Sequence, residues 1–145
     1  MANDELYTPK WIFDALDMQF DLDVCAPHDG PWHTPTKAHI CGCCGDGLTD
    51  QWHGVVFMNP PYSKPSDWVN KWIEHGNGIC LVQSSKSKWF ENLWNSQAVA
   101  VPLPTRMKFL TQENKLQPIF MPTMLWAIGE YSINRLNESK IGKVR

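Results

Sequence analysis

No stretch of the 145 residues is apolar for long enough to cross a membrane, and none has the shape of a secretory hydrophobic region. Neither a membrane span nor export is therefore expected. The five cysteines are an odd number, which argues against a disulfide framework. Reduced thiols and a cytoplasmic location are the expectation. Internal repeats, low-complexity tracts and composition breaks that would mark a linker are also lacking. One domain spanning residues 1–145 is expected, with its core in 7–128 and a polar, basic-ending tail in 129–145 that is only partly ordered. Charge is modest, with a net −2, while hydrophobic residues make up 43 %. That composition belongs to a folded chain and not to a disordered one.

What is present is unevenly placed. Residues 1–54 carry two lysines against nine acids, whereas residues 55–145 carry eleven bases against six acids. A basic half can face phosphates, although surface charge also varies without any such purpose. Eight tryptophans serve either cores or stacking surfaces. Most of them should pack helices onto a sheet.

Local patterns alternate between two periods. Thr8-Pro9 predicts a helix start, with Thr8 as cap and Pro9 as first residue, followed by an apolar face of Trp11, Ile12, Ala15 and Leu16. Residues 20–24 alternate as a strand ending near Asp23 to Ala26. An acid there can bind a ligand's amine or hydroxyls, although an ordinary turn residue is the plainer reading. Helices are expected after Ser66 and Ser87, and further strands over 79–82, 98–101, about 106–110 and 123–128. Strands alternating with helices give an α/β protein with a mostly parallel sheet.

Residues 27–47 break every periodicity, holding three prolines, four glycines and a cluster of His28, His33, His39, Cys41, Cys43 and Cys44. So long an irregular stretch is often functional. Its cysteines raise zinc, but the spacing lacks the usual two-residue pair and a second pair. No metal is expected to be required, with structural zinc at Cys41, Cys43 and Cys44 as the exception to test.

The chemistry concentrates in Asn59-Pro60-Pro61-Tyr62, directly after the apolar run 55–58. Two prolines stop any ladder or helix, so the chain leaves the sheet in a stiff turn at a strand's C-terminal end. An aromatic amine is a poor nucleophile because its lone pair is conjugated into the ring. The Asn59 amide oxygen and the Pro60 carbonyl can accept its two N–H bonds and direct the lone pair at an electrophilic methyl group. Tyr62 can stack on the ring. Positioning and hydrogen bonding then carry most of the rate.

With these residues in view, the chain resembles the phage-type, Dam-like DNA adenine-amino methyltransferases. The resemblance covers most of residues 7–128 and rests on Tyr7-Thr8-Pro9, Asp23-Val24-Cys25-Ala26, Asp46-Gly47-Leu48, Asn59-Pro60-Pro61-Tyr62-Ser63 and Arg106-Met107-Lys108-Phe109. It implies a minimal Rossmann-like, S-adenosylmethionine-dependent fold that methylates the N-6 amine of adenine in double-stranded DNA, and a phage or prophage origin in a bacterial cell. It assigns Thr8, Pro9, Asp23, Ala26, Asp46 and Leu48 to the cofactor, with Asp46 on its adenine amine and Leu48 against the ring. Asn59, Pro60 and Tyr62 become the catalytic set. Because a base inside a duplex cannot reach such a turn, it must be flipped out. Lys64, Lys86, Lys88, Arg106 and Lys108 are then expected to hold phosphates.

Two features depart from the family pattern. Residues 27–45 are too broken for the usual helix and second strand, which leaves ribose binding unassigned unless Asp23 does it. There is also no insertion sized for a separate recognition domain, so residues 28–44 and 103–118 become the candidate sequence readers. The competing readings are methylation of RNA or of a protein amide, and a non-catalytic, zinc-stabilised DNA-binding module.

Overall fold

The computed structural model describes residues 7–27, 30–31, 33–41, 46–61, 63–104, 108–110, 116–118 and 122–145, with backbone alone at 41, 108–110 and 116–118. In chain order the elements are α1 (Lys10–Leu16), β1 (Leu22–Ala26), β2 (His39–Cys41), β3 (Val56–Met58), α2 (Ser66–His75) and β4 (Gly78–Gln83). They continue with α3 (Lys88–Trp94), β5 (Val99–Pro102), β6 (Lys108–Leu110), β7 (Leu116–Pro118), β8 (Thr123–Ile128) and α4 (Glu130–Glu138). Six strands form one sheet in the order β2-β1-β3-β4-β8-β5, and β6 pairs with β7 apart from it. Strands β2, β1, β3 and β4 are mutually parallel, while β8 runs antiparallel to both neighbours. This is the mixed α/β, mostly parallel sheet that the alternation of periods implies, compatible with a small Rossmann-like methyltransferase fold.

The sheet is covered on both faces because its strands are apolar on both. Along β4, Ile79 and Leu81 face one core, with Ile12, Phe13 and Leu16 of α1 and Leu136 of α4. Cys80 and Val82 face the other, with Val69 and Trp72 of α2 and Trp89 and Leu93 of α3. Consecutive side chains on a strand point to opposite faces, so one strand feeds both layers. Phe13, Phe20 and Phe57 meet edge-on or tilted, with Phe13 and Phe57 centroids 4.9 Å apart. Trp72, Trp126, Trp52 and Trp89 are buried, as expected of packing residues, whereas Trp94 is exposed.

Several local expectations are corrected. Pro9 occupies the N-cap of α1 and no side chain caps it; Thr8 is engaged elsewhere. Pro65, not Ser66, caps α2. Ser87 does precede α3, but its hydroxyl accepts from Ser85 Oγ at 2.9 Å in place of a capping bond. The irregular stretch contains a strand, β2, whose residue His39 pairs with Asp23. In the tail, α4 buries Ser132 and Leu136. The last residue, Arg145, exchanges two 2.9 Å backbone hydrogen bonds with Ala100.

Candidate active site

Because β1 to β4 are parallel, their C-terminal ends share one edge. From β1 the chain steps outward to β2, then crosses back to place β3 on the other side of β1. Where strand order reverses, the connections on either side diverge and leave a crevice outside the strand ends. That crevice lies between β1, which ends in Cys25 and Ala26, and β3, which is followed by Asn59 and Pro60.

Asp23 lies opposite Phe57 in the β1–β3 register, two residues before Asn59. Its neighbours Leu22 and Val24 belong to the core under α2 and α3, so alternation turns Asp23 toward the α1 face. It is only 2 % exposed. Burial pushes its pKa up to about 7, against lowering hydrogen bonds from the Cys25 N–H, 3.2 Å away, and from the Thr34 side chain. A carboxylate so buried at a strand end is costly unless a donor meets it.

On the same face, Asn59 Nδ2 donates to Thr8 Oγ1 at 3.2 Å. Thr8 is buried. Tying the amide nitrogen to Thr8 turns the amide oxygen to the opposite side. Pro60 is also buried, and its carbonyl accepts no hydrogen bond among the described residues. The Pro61 carbonyl instead accepts the Lys64 N–H at 3.2 Å, closing the turn. Tyr62 lies outside the described residues.

The third piece is the turn at 46–50. Asp46 Oδ1 accepts the Leu48 N–H at 2.8 Å, and the Asp46 carbonyl accepts the Asp50 N–H at 2.7 Å. Its second carboxylate oxygen, Oδ2, takes no partner among the described residues. Gly47 passes so close to the Val24 carbonyl and the Trp68 ring that a Cβ there would collide with both. The turn is thereby pressed against the end of β1, with Asp46 exposed and Leu48 half-buried. Pro9 and Ala26 are both buried, Pro9 beside Thr8 and Ala26 at the last position of β1.

Next along the loop that follows β3 is a cavity of about 300 Å³. Ser63 and Pro65 line it from the loop after β3, and Gln83, Ser84, Ser85 and Trp89 from the segment after β4. Lys64 and Lys86 are exposed on these same two loops. Lys88 is exposed too, but its ammonium is paired with Glu91 at 2.6 Å. Arg106 lies outside the described residues, and Lys108 contributes only its backbone, in β6.

The sequence pattern gave no hint of Thr34, Lys71 or the serine-lined cavity. Thr34 sits in the irregular stretch, and Lys71 lies between Asn70 and Trp72 on α2. No group of three metal-ligating side chains occurs among the described residues. The side chains of Cys41, Cys43 and Cys44, on which zinc was raised, lie outside them. No helix is long and apolar enough to cross a membrane, among the residues described.

A family model described as DNA N-6-adenine-methyltransferase (Dam) matches residues 1–131. Among curated proteins, the DNA N-6-adenine-methyltransferase of Haemophilus phage HP1 (strain HP1c1) is 27 % identical over 118 residues, covering 73 % of this chain and 66 % of the phage protein. The chain thus spans just under two thirds of that relative's length. No solved structure matches it.

Proposed function

Since the chain belongs to the DNA N-6-adenine-methyltransferase (Dam) family, we propose that it transfers a methyl group from S-adenosylmethionine to the N-6 amine of adenine in double-stranded DNA. The observation that carries this reading is the Asn59–Thr8 hydrogen bond at the end of β3, because it ties the Asn59 amide by its nitrogen next to the Pro60 carbonyl, which accepts no hydrogen bond among the described residues.

The residues present fit the cofactor. A carboxylate oxygen on Asp46 that takes no partner among the described residues suits an adenine amine, and a buried carboxylate on Asp23 suits a hydroxyl or ammonium group. Leu48 gives an apolar surface for the ring, while Thr8, Pro9 and Ala26 wall the methionine end. S-adenosylmethionine supplies an electrophilic sulfonium methyl. The chain's own task is placement: Asn59 and Pro60 accept the two N–H bonds of the amine and hold its lone pair in line. Such acceptors strengthen as the nitrogen gains positive charge in the transition state. Tyr62 stacks on the base, and the product loses its proton to water without a strong base.

Reaching this turn requires the adenine to leave the duplex, at a cost of a few kcal/mol that stacking partly offsets. The 300 Å³ cavity beside the turn offers polar, neutral lining for the extruded nucleotide. Lys64 and Lys86, both exposed, are proposed to meet its phosphates, with Lys88, Arg106 and Lys108 as further contacts. The compartment proposed is the cytoplasm of a bacterial cell, with a phage or prophage source, and the chain is proposed to act as one domain.

The test is transfer of a labelled methyl group to duplex DNA, RNA and protein, followed by nucleoside analysis. Labelled N-6-methyladenine from duplex DNA supports the reading. Label recovered only in RNA or in a protein amide would replace the substrate, and no transfer with zinc bound would favour a binding module.

A further inference from the structure

Lys71 is spent on something other than solvent. From the middle of α2 its Nζ donates to the carbonyl oxygens of Gly47 at 3.1 Å, Leu48 at 2.9 Å and Asp50 at 2.6 Å. An ammonium has three donors, and all three are used on one turn. No carboxylate lies within ion-pairing distance of it among the described residues. The ammonium also sits over the Trp52 ring, 4.8 Å from its centroid, and the Trp52 indole N–H donates to the same Gly47 carbonyl at 2.7 Å.

Three carbonyl oxygens pointed at one place repel each other unless a cation lies between them. Lys71 supplies that cation, with the Trp52 indole N–H as a further donor to Gly47. Asp46 opens the same turn, exposed, with its Oδ1 accepting the Leu48 N–H and its Oδ2 taking no partner among the described residues. A helix on one face of the sheet therefore fixes the turn at the end of β1.

We propose that Lys71 is a positioning residue for cofactor binding, holding the 46–50 turn in the shape that receives the adenine end of S-adenosylmethionine. This rests on the reading of Asp46 and Leu48 given above. Lys71 touches neither cofactor nor substrate. Its effect is on the geometry of a binding turn, so it acts on cofactor affinity and not on the chemical step.

The test uses the full chain and titrates S-adenosylmethionine calorimetrically into wild type, Lys71→Met, Lys71→Arg and Asp46→Ala. Hydrogen exchange at residues 48–50 and kcat at saturating cofactor and DNA are measured alongside. Lys71→Met is expected to raise the cofactor Kd roughly tenfold or more and to speed exchange at 48–50. Its saturated kcat should stay within about twofold, and Lys71→Arg should recover most of the affinity. Should Lys71→Met fail to fold, Lys71→Gln carries the same comparison. Wild-type affinity in the neutral variants, or a fall in kcat with Kd unchanged, overturns the proposal. Weak binding in Asp46→Ala beside normal binding in Lys71→Met overturns the role of Lys71 alone. Normal binding in Asp46→Ala overturns the adenine assignment of the turn, and the role of Lys71 falls with it.

Discussion

Asn59 and Thr8, separated by 51 residues, meet through a 3.2 Å hydrogen bond in which the amide nitrogen donates and the threonine hydroxyl accepts. The bond holds the Asn59 amide by its nitrogen. An amide turned the other way would present N–H groups to an amine that is itself a donor.

Thr8→Val keeps the shape of the side chain and removes the acceptor. It is expected to lower kcat roughly tenfold or more, the scale of one catalytic hydrogen bond. Thr8→Ser should retain most of the activity. Steady-state kinetics with duplex DNA distinguishes them, and equal rates for wild type and the valine variant would remove the link.

Asp23 sets a pH dependence. Its pKa is pushed by burial from the ordinary 3.8 to about 7 in the folded protein. The unfolded chain therefore ionises first, and stability falls as pH rises from about 4 toward 7. Above pH 7 the ionised, buried carboxylate costs on the order of 4 kcal/mol. Denaturant unfolding of the cofactor-free protein should show lower stability at pH 8 than at pH 5.5, and Asp23→Asn should lose most of that difference. Cofactor affinity should weaken below pH 7, as Asp23 gains a proton and loses its acceptor charge. Affinity that is flat from pH 5.5 to 8 would take Asp23 out of the site.

Gly47 is the close approach on which the 46–50 turn depends. Gly47→Ala drives a methyl group into the Val24 carbonyl and the Trp68 ring. A destabilisation of about 1–3 kcal/mol is expected, with weaker cofactor binding as the turn lifts from β1. Thermal unfolding with and without S-adenosylmethionine reads both effects. An unchanged melting temperature would show that the turn does not press on the strand.

How much of this was legible beforehand depends on the range of each interaction. Strand β8 was placed in full, at residues 123–128, because a continuous apolar run between a proline and a glycine is a local signal. The turn after β3 is an equally local signal, carried by its two prolines. Thr8 reads as a helix cap because a threonine before a proline usually is one; its partner in the structure is 51 residues away and no local window contains both. Strand β2 was lost in a stretch of glycine, proline and cysteine, since three residues paired to one neighbour leave no period to detect. Helix α4 was hidden by polarity, with Leu136 and Ser132 as its buried residues. Lys71 carried no sign at all, because the carbonyls it binds advertise nothing in sequence.

The lysines at the strand ends make a separate claim. Each phosphate contact removed should reduce the salt slope of DNA affinity by about 1. Lys64→Ala and Lys86→Ala should each do so. Lys88→Ala should do less, since that ammonium is already paired with Glu91 at 2.6 Å. Affinity measured across a salt series checks the set, and identical slopes for all variants would place the DNA elsewhere.

The central claim is that the turn after β3 methylates adenine through Asn59. The direct measurement is incubation of wild type and Asn59→Ala with labelled S-adenosylmethionine and duplex DNA, followed by hydrolysis and nucleoside analysis. Wild type is expected to yield labelled N-6-methyladenine, and the alanine variant to be slower by about a hundredfold or more while still binding the cofactor. Methyladenine formed at equal rates by both, or none formed by a wild-type protein that binds cofactor and DNA, would contradict it.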